Sequence, residues 1–171
     1  MKIKRSIARG KRGQALENLI LYSCRQYSTK GKARIDKVPT PMKTYRGKTF
    51  YSEKSTVDFS GTIKGGRSVD FDAKATREKR FAICDKTHLA PHQVAYLKEK
   101  HELGGIAFLL VEFTTRNEHY IVTYPAIERF IERGAAGGRK SIAYDEFTEE
   151  NGIFKIGPGP GVALDFLAPF L

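Results

Sequence analysis

GIAFLLVEF, residues 105–113, carries one charge in nine residues. An apolar run of that length has the character of a central strand buried on both faces. Such a strand needs partners beside it and layers above and below, and the flanking sequence supplies them. HYIVTYP (119–125) reads as a partner strand stopped by Pro125. VDFSGTIKGGRSVDFDAKAT reads as two strands, 57–63 and 67–75, around a Gly65-Gly66 turn. Residues 34–38 form a short strand that ends before Pro39 and Pro41.

Three helices alternate with these strands. In GQALENLILYSCRQYSTKG, Leu16, Leu19, Ile20 and Cys24 recur at helical spacing, and Gly31 is the stop. Pro91 at a first helical position, followed by Val94, Ala95 and Leu97, predicts a helix over about 91–102, ended by Gly104-Gly105. AIERFIER (126–133) is a short amphipathic helix and GAAGGRKS a loop. IGPGPGV has no regular structure, and ALDFLAPFL is expected to close the chain as a helix. The order describes a mixed α/β domain over 14–171, preceded by a basic flexible arm at 1–13.

SVDFDAK, residues 68–74, places Asp70, Asp72 and Lys74 on one face of a strand and Val69, Phe71 and Ala73 on the other. A row of two acids and an amine either looks at water or holds something that needs all three. If 57–63 and 67–75 pair as a hairpin, Asp58 approaches that row. Asp plus Asp-x-Lys is the layout of a metal-dependent phosphodiesterase, because Mg²⁺ takes hard oxygen ligands from one or two carboxylates, waters and substrate phosphate. The plainer reading is a solvated strand face with cross-strand ion pairs.

Charge placement adds to this. Residues 1–54 hold 15 of the 30 Lys and Arg, against Glu17, Asp36 and Glu53 as the only acids. Clustered positive charge favours a polyanion, since each neutralised phosphate releases counterions. No apolar run approaches the roughly 18 residues that a membrane helix requires, and the N-terminal stretch has no apolar core of a secretory signal. Cys24 and Cys84 make neither a metal spacing nor a disulfide framework, which suits a reduced cytosol. His88, His92, His101 and His119 are scattered, and GPGPG lacks the strand and helix context of a phosphate loop.

STVDFSG, GRSVDFDAKAT, HQVAYL and GRKSIAYDEF closely resemble the RecU family of Holliday junction resolvases, over about residues 39–147. RGQALENLI fits more loosely. The resemblance implies a restriction-endonuclease-like fold, a mixed central β-sheet flanked by helices with a protruding stalk at 39–54. It implies a cytoplasmic, nucleoid-associated enzyme of a bacterium or its virus. That enzyme would be a homodimer that nicks four-way junction DNA in symmetric pairs with Mg²⁺ or Mn²⁺, alongside host recombination proteins. Asp58 matches the family's first metal-binding aspartate, with Thr56 beside it. Asp72 falls where the family has glutamate, and Lys74 matches the motif's lysine. Asp70 matches the aspartate that precedes them, Glu17 resembles a helix glutamate that assists the metal, and Gln93 matches a glutamine at the start of the following helix.

Two departures stand out. Asp72 is one methylene shorter than glutamate, and the loop between Asp58 and Asp72 is one residue longer than in the family. IGPGPGVALDFL fits loosely, and no function is carried onto it. For DNA binding the candidates are Arg9, Lys11 and Arg12 in the arm, Lys43, Arg46, Lys48 and Lys54 on stalk phosphate contacts, Tyr45 and Phe50 as stacking rings, and Arg67. Two rival readings use the same features: a different nuclease of this fold, and a non-catalytic basic protein that bridges or bends DNA.

Overall fold

The computed structural model describes residues 2–51 and 56–171, with side chains for 13–49 and 56–171. In chain order the elements are α1 (Lys2–Thr29), β1 (Ala33–Lys37), β2 (Met42–Tyr45), β3 (Lys48–Tyr51), β4 (Phe59–Ile63), β5 (Ser68–Thr76) and β6 (Arg80–Phe81). There follow α2 (Pro91–Glu102), β7 (Ile106–Phe113), β8 (Glu118–Thr123), α3 (Tyr124–Ala135), β9 (Ile142–Ala143) and β10 (Ile153–Ile156). A mixed six-stranded sheet in the order β1-β4-β5-β7-β8-β10 forms the centre. β5 and β7 are parallel and every other pair in it is antiparallel. This is the mixed α/β, restriction-endonuclease-like architecture expected of the sequence.

The apolar run becomes β7, and alternation along it feeds two cores. Phe108 and Leu110 meet Leu16, Ile20 and Tyr27 of α1, together with Phe71 and the C-terminal Phe166. Ala107, Leu109 and Val111 meet Leu97 of α2 and Ile127 and Phe130 of α3. β5 obeys the same period of two: Val69 and Phe71 enter the α1 core, so Asp70 and Asp72 face the α2 side. Both helix layers are needed because a strand flanked by partners on each edge can hide its side chains only above and below the sheet.

Several expectations are corrected. α1 runs unbroken from Lys2, so the segment expected as an arm has helical backbone continuous with the helix. Residues 163–171 do not form a closing helix; their regular structure is a three-residue 3₁₀ turn, Ala168–Phe170. Their backbone donors are taken by side chains of α1 instead. Ala163 N donates to Gln26 Oε1 at 2.7 Å, Leu164 N to Ser23 Oγ at 3.0 Å and Leu167 N to Tyr27 Oη at 3.0 Å. Pro125, expected to stop a strand, sits inside the first turn of α3, where a missing N–H is harmless. β6 and β9, two residues each, were not visible in any periodicity.

Tyr27 is fully buried and its hydroxyl both donates to Asp165 Oδ1, at 2.6 Å, and accepts from Leu167 N. Tyr27→Phe takes this partner from the buried Leu167 N–H and from the half-buried Asp165 carboxylate. Urea denaturation should show a loss of about 1–3 kcal/mol, the cost of such orphans.

Candidate active site

Asp58 stands just before β4, tied down by Val38 N donating to its carbonyl at 2.8 Å. Its carboxylate turns toward β5, where Oδ2 accepts a hydrogen bond from Ala73 N at 2.9 Å. Asp72 projects from the other side of β5 residue alternation, beside it. The Asp58 carboxylate is close enough for its charge to act on that of Asp72. Asp72 is wholly buried, and its carboxyl is pushed up to about 7. Burial is the main cause; the Lys74 ammonium pulls the other way, and the Asp58 charge adds to the rise. Lys74 Nζ lies against Asp72 Oδ2, with its own side chain one-fifth exposed. The row of β5 therefore does not look at water. Its amine, Lys74, keeps partial access to solvent.

Gln93 completes the group. At the third position of α2, its Oε1 accepts from Ala90 N at 3.1 Å, capping the helix, while Nε2 donates to Asp72 Oδ1 at 3.2 Å. The capping role and the site role are carried by the two ends of one amide. Asp70 is brought elsewhere. Ser60 Oγ and Tyr96 Oη donate to its Oδ1 at 2.7 and 3.2 Å, and Lys100 Nζ stands 3.4 Å from Oδ2. Glu17 accepts from Lys37 Nζ at 2.6 Å. It sits on α1, whose Leu16 and Ile20 pack on the sheet face opposite the carboxylate row. Thr56 is half-buried, next to the fully buried Val57. The five expected metal ligands are thus resolved into one close pair, Asp58 and Asp72. Among the described residues no group of three or more His, Cys, Asp or Glu is placed to hold a metal.

That pair fits a hard divalent cation. Both donors are carboxylate oxygens, and the buried Asp72 Oδ2 already draws positive charge to itself in the Lys74 ammonium, a place that a cation would share. Mg²⁺ commonly takes one or two carboxylates and draws its other ligands from water and phosphate.

The stalk is a hairpin. β2 and β3 pair with each other, Tyr45 opposite Lys48, and join no other strand. The turn residues Arg46 (φ 50°) and Gly47 (φ 74°) are both left-handed, as a two-residue type I′ turn requires. Lys43, Tyr45, Arg46 and Lys48 are exposed, with the Arg46 guanidinium 5.3 Å from the centre of the Tyr45 ring. In chain order the hairpin lies between β1 and β4, which pair Lys37 with Phe59. Lys54 lies outside the described residues, as do the side chains of Arg9, Lys11, Arg12 and Phe50. Arg67 is at the other end of the β4–β5 hairpin, donating to the Gly104 carbonyl at 2.7 Å. Five residues of strand put it about 17 Å from Asp72, outside the carboxylate site.

Ser60, Tyr96 and Lys100 were not anticipated. The i, i+3, i+7 spacing of Gln93, Tyr96 and Lys100 was the available signal, since it puts the three on one face of a helix.

Comparison with known proteins agrees with this geometry. The family model of recombination protein U, RecU, matches residues 11–170. A protein named Holliday junction resolvase RecU from Oenococcus oeni is 33% identical, over 97% of this chain and 87% of its own length. Proteins of the same name from Bacillus cytotoxicus and Bacillus cereus are each 30% identical, over 90% and 88% of this chain and 80% of their own lengths. The family match takes in every strand of the central sheet and both carboxylates of the pair, and the chain belongs to the RecU family.

Proposed function

We propose that this chain is a metal-dependent, structure-specific DNA endonuclease that resolves four-way junctions by paired symmetric nicks. The observation that carries this reading is the pair of half-buried Asp58 and buried Asp72 with Lys74 against it, in a chain that also carries an exposed basic hairpin. The names of the relatives supply the junction as substrate.

Asp58 and Asp72 would hold Mg²⁺ or Mn²⁺; Asp70 and Glu17 have other partners, and Thr56 is left as a further oxygen donor beside Asp58. When bound, the cation lowers the pKa of a coordinated water and neutralises charge that develops on the scissile phosphate. The residues of the chain do the rest. Lys74, held in place by Asp72 and partly open to solvent, offers N–H donors to a phosphate oxygen or to the attacking water. Gln93 fixes the orientation of the Asp72 carboxylate through Oδ1, and Lys74 faces Oδ2, the oxygen that a cation would share with the ammonium. Lys43, Arg46 and Lys48 would meet phosphates and Tyr45 would stack on an unpaired base, giving affinity without sequence choice. Arg9, Lys11, Arg12, Lys54 and Arg67 would add phosphate contacts and Phe50 a second stacking ring.

Two strands of like polarity must be cut, and a two-fold homodimer puts one site on each. The nuclease domain would span 14–171 and act on nucleoid DNA in the cytoplasm beside recombination proteins. No helix among the described residues is long and apolar enough to cross a membrane.

A synthetic four-way junction tests the reading. With Mg²⁺, paired nicks at symmetry-related positions near the crossover are expected, with little cutting of linear duplex. Chelation by EDTA should abolish nicking while gel-shift binding of the junction persists, and added Mn²⁺ should restore it. Equal cutting of junction and duplex would point to another nuclease of this fold. Binding without nicks in either metal would favour the bridging reading.

A further inference from the structure

Asp70 is fully buried, yet it belongs neither to an apolar core nor to the Asp58–Asp72 pair. Ser60 holds it from β4, across the register that sets Ser60 opposite Asp70. Its other two partners, Tyr96 and Lys100, come from α2. So does Gln93, the residue that holds Asp72. One face of α2 therefore meets both carboxylates of one strand face.

The spacings agree. Along β5 the step from Asp72 to Asp70 is about 6.7 Å at roughly 3.3–3.4 Å per residue. Along α2, Tyr96 and Lys100 lie about 4.5 and 10.5 Å beyond Gln93 at 1.5 Å per residue. With Gln93 on Asp72, the Asp70 carboxylate falls between the two side chains that close on it. A slide of the helix by one residue would break this match at both acids.

Apolar packing alone would resist such a slide weakly. Leu97 is the one fully buried residue of α2, with Val94 and Tyr96 half-buried. Withdrawing Tyr96 and Lys100, by contrast, would leave the buried Asp70 carboxyl group with Ser60 as its one remaining named partner, a steeper penalty.

We propose that Asp70 is a positioning residue: through Tyr96 and Lys100 it seats α2 on β5, and the seat keeps the Gln93 amide on Asp72. This rests on the nuclease reading of the Asp58–Asp72 site. It assigns Asp70 a role at a distance from the metal, although its place in the strand pattern is equivalent to that of Asp72.

Tyr96→Phe removes one hydroxyl and keeps the ring, so the fold survives the test. Single-turnover junction cleavage in Mg²⁺ should slow about tenfold, the scale on which sub-ångström misplacement acts, with junction affinity unchanged. In a Gln93→Ala background the same change should slow cleavage no further, because the hydroxyl acts through that amide. Amide hydrogen exchange at 94–97 should be faster in Tyr96→Phe than in the parent, with or without DNA. Unchanged cleavage, or an equal slowing in both backgrounds, overturns the proposal. Where Gln93→Ala leaves too little cleavage to slow, the exchange rates decide, and parental rates in Tyr96→Phe overturn it. A parent protein that binds but never nicks the junction defeats the nuclease reading, and exchange at 94–97 then tests the seat of α2 by itself.

Discussion

Asp72→Asn should reduce Mg²⁺-dependent junction cleavage by about 10³-fold or more and leave junction binding within about twofold of the parent. The substitution keeps the size of the side chain and one oxygen. It removes the charge that, with Asp58, would hold the cation, and it releases Lys74 from its partner. Several kcal/mol of transition-state stabilisation depend on that cation, and about 4 kcal/mol corresponds to 10³ in rate. Binding would be spared because the proposed phosphate contacts lie on the hairpin, whose Lys43, Arg46 and Lys48 are exposed and make up no part of the carboxylate pair. A thermal melt supplies a second readout. Mg²⁺ should raise the melting temperature of the parent and not of Asp72→Asn, since a ligand stabilises only the state that binds it. Cleavage by Asp72→Asn at the parental rate would remove the metal assignment altogether.

Phe71→Ala should lower folding stability by about 3–5 kcal/mol, the range for truncating a large buried aromatic side chain. Phe71 is fully buried between Phe59 and Phe108, with ring centroids 5.0 and 4.6 Å away and both pairs stacked, and Phe166 stands 5.1 Å off at a tilt. Four elements meet on this ring: β4, β5, β7 and the C-terminal segment. None can move into the void without leaving its strand register or its bonds to α1. Urea unfolding followed by circular dichroism measures the effect. A loss below about 1 kcal/mol would mean that the aromatic stack is not the centre of this core. Because Phe71 sits between Asp70 and Asp72 in the strand, junction cleavage should also fall at temperatures where the parent is still fully active.

The alternation in SVDFDAK was enough to place Asp70, Asp72 and Lys74 on one side of β5 and Val69 and Phe71 on the other, because side-chain direction in a strand is a property of the local backbone. The same is true of β7, where every position but Glu112 is apolar and both faces are covered. Helix signals around Leu16, Ile20 and Pro91 were equally local, as was the turn at Arg46-Gly47. Glu17 shows the limit. Its place on a helix was legible, but its ion pair with Lys37 depends on how α1 lies against β1. ALDFLAPFL shows the same limit for backbone: its donors bond to Gln26, Ser23 and Tyr27, more than 130 residues earlier in the chain.

Asp70 and Asp72 separate the two kinds of information most clearly. The chain alone determined that both acids share a strand face, two residues apart. Only the packing of α2 decided that one meets Tyr96 and Lys100 while the other meets Gln93 beside Asp58. Backbone geometry orients a carboxylate, but its partners and its solvation come from segments far away in sequence, and those set what it can do.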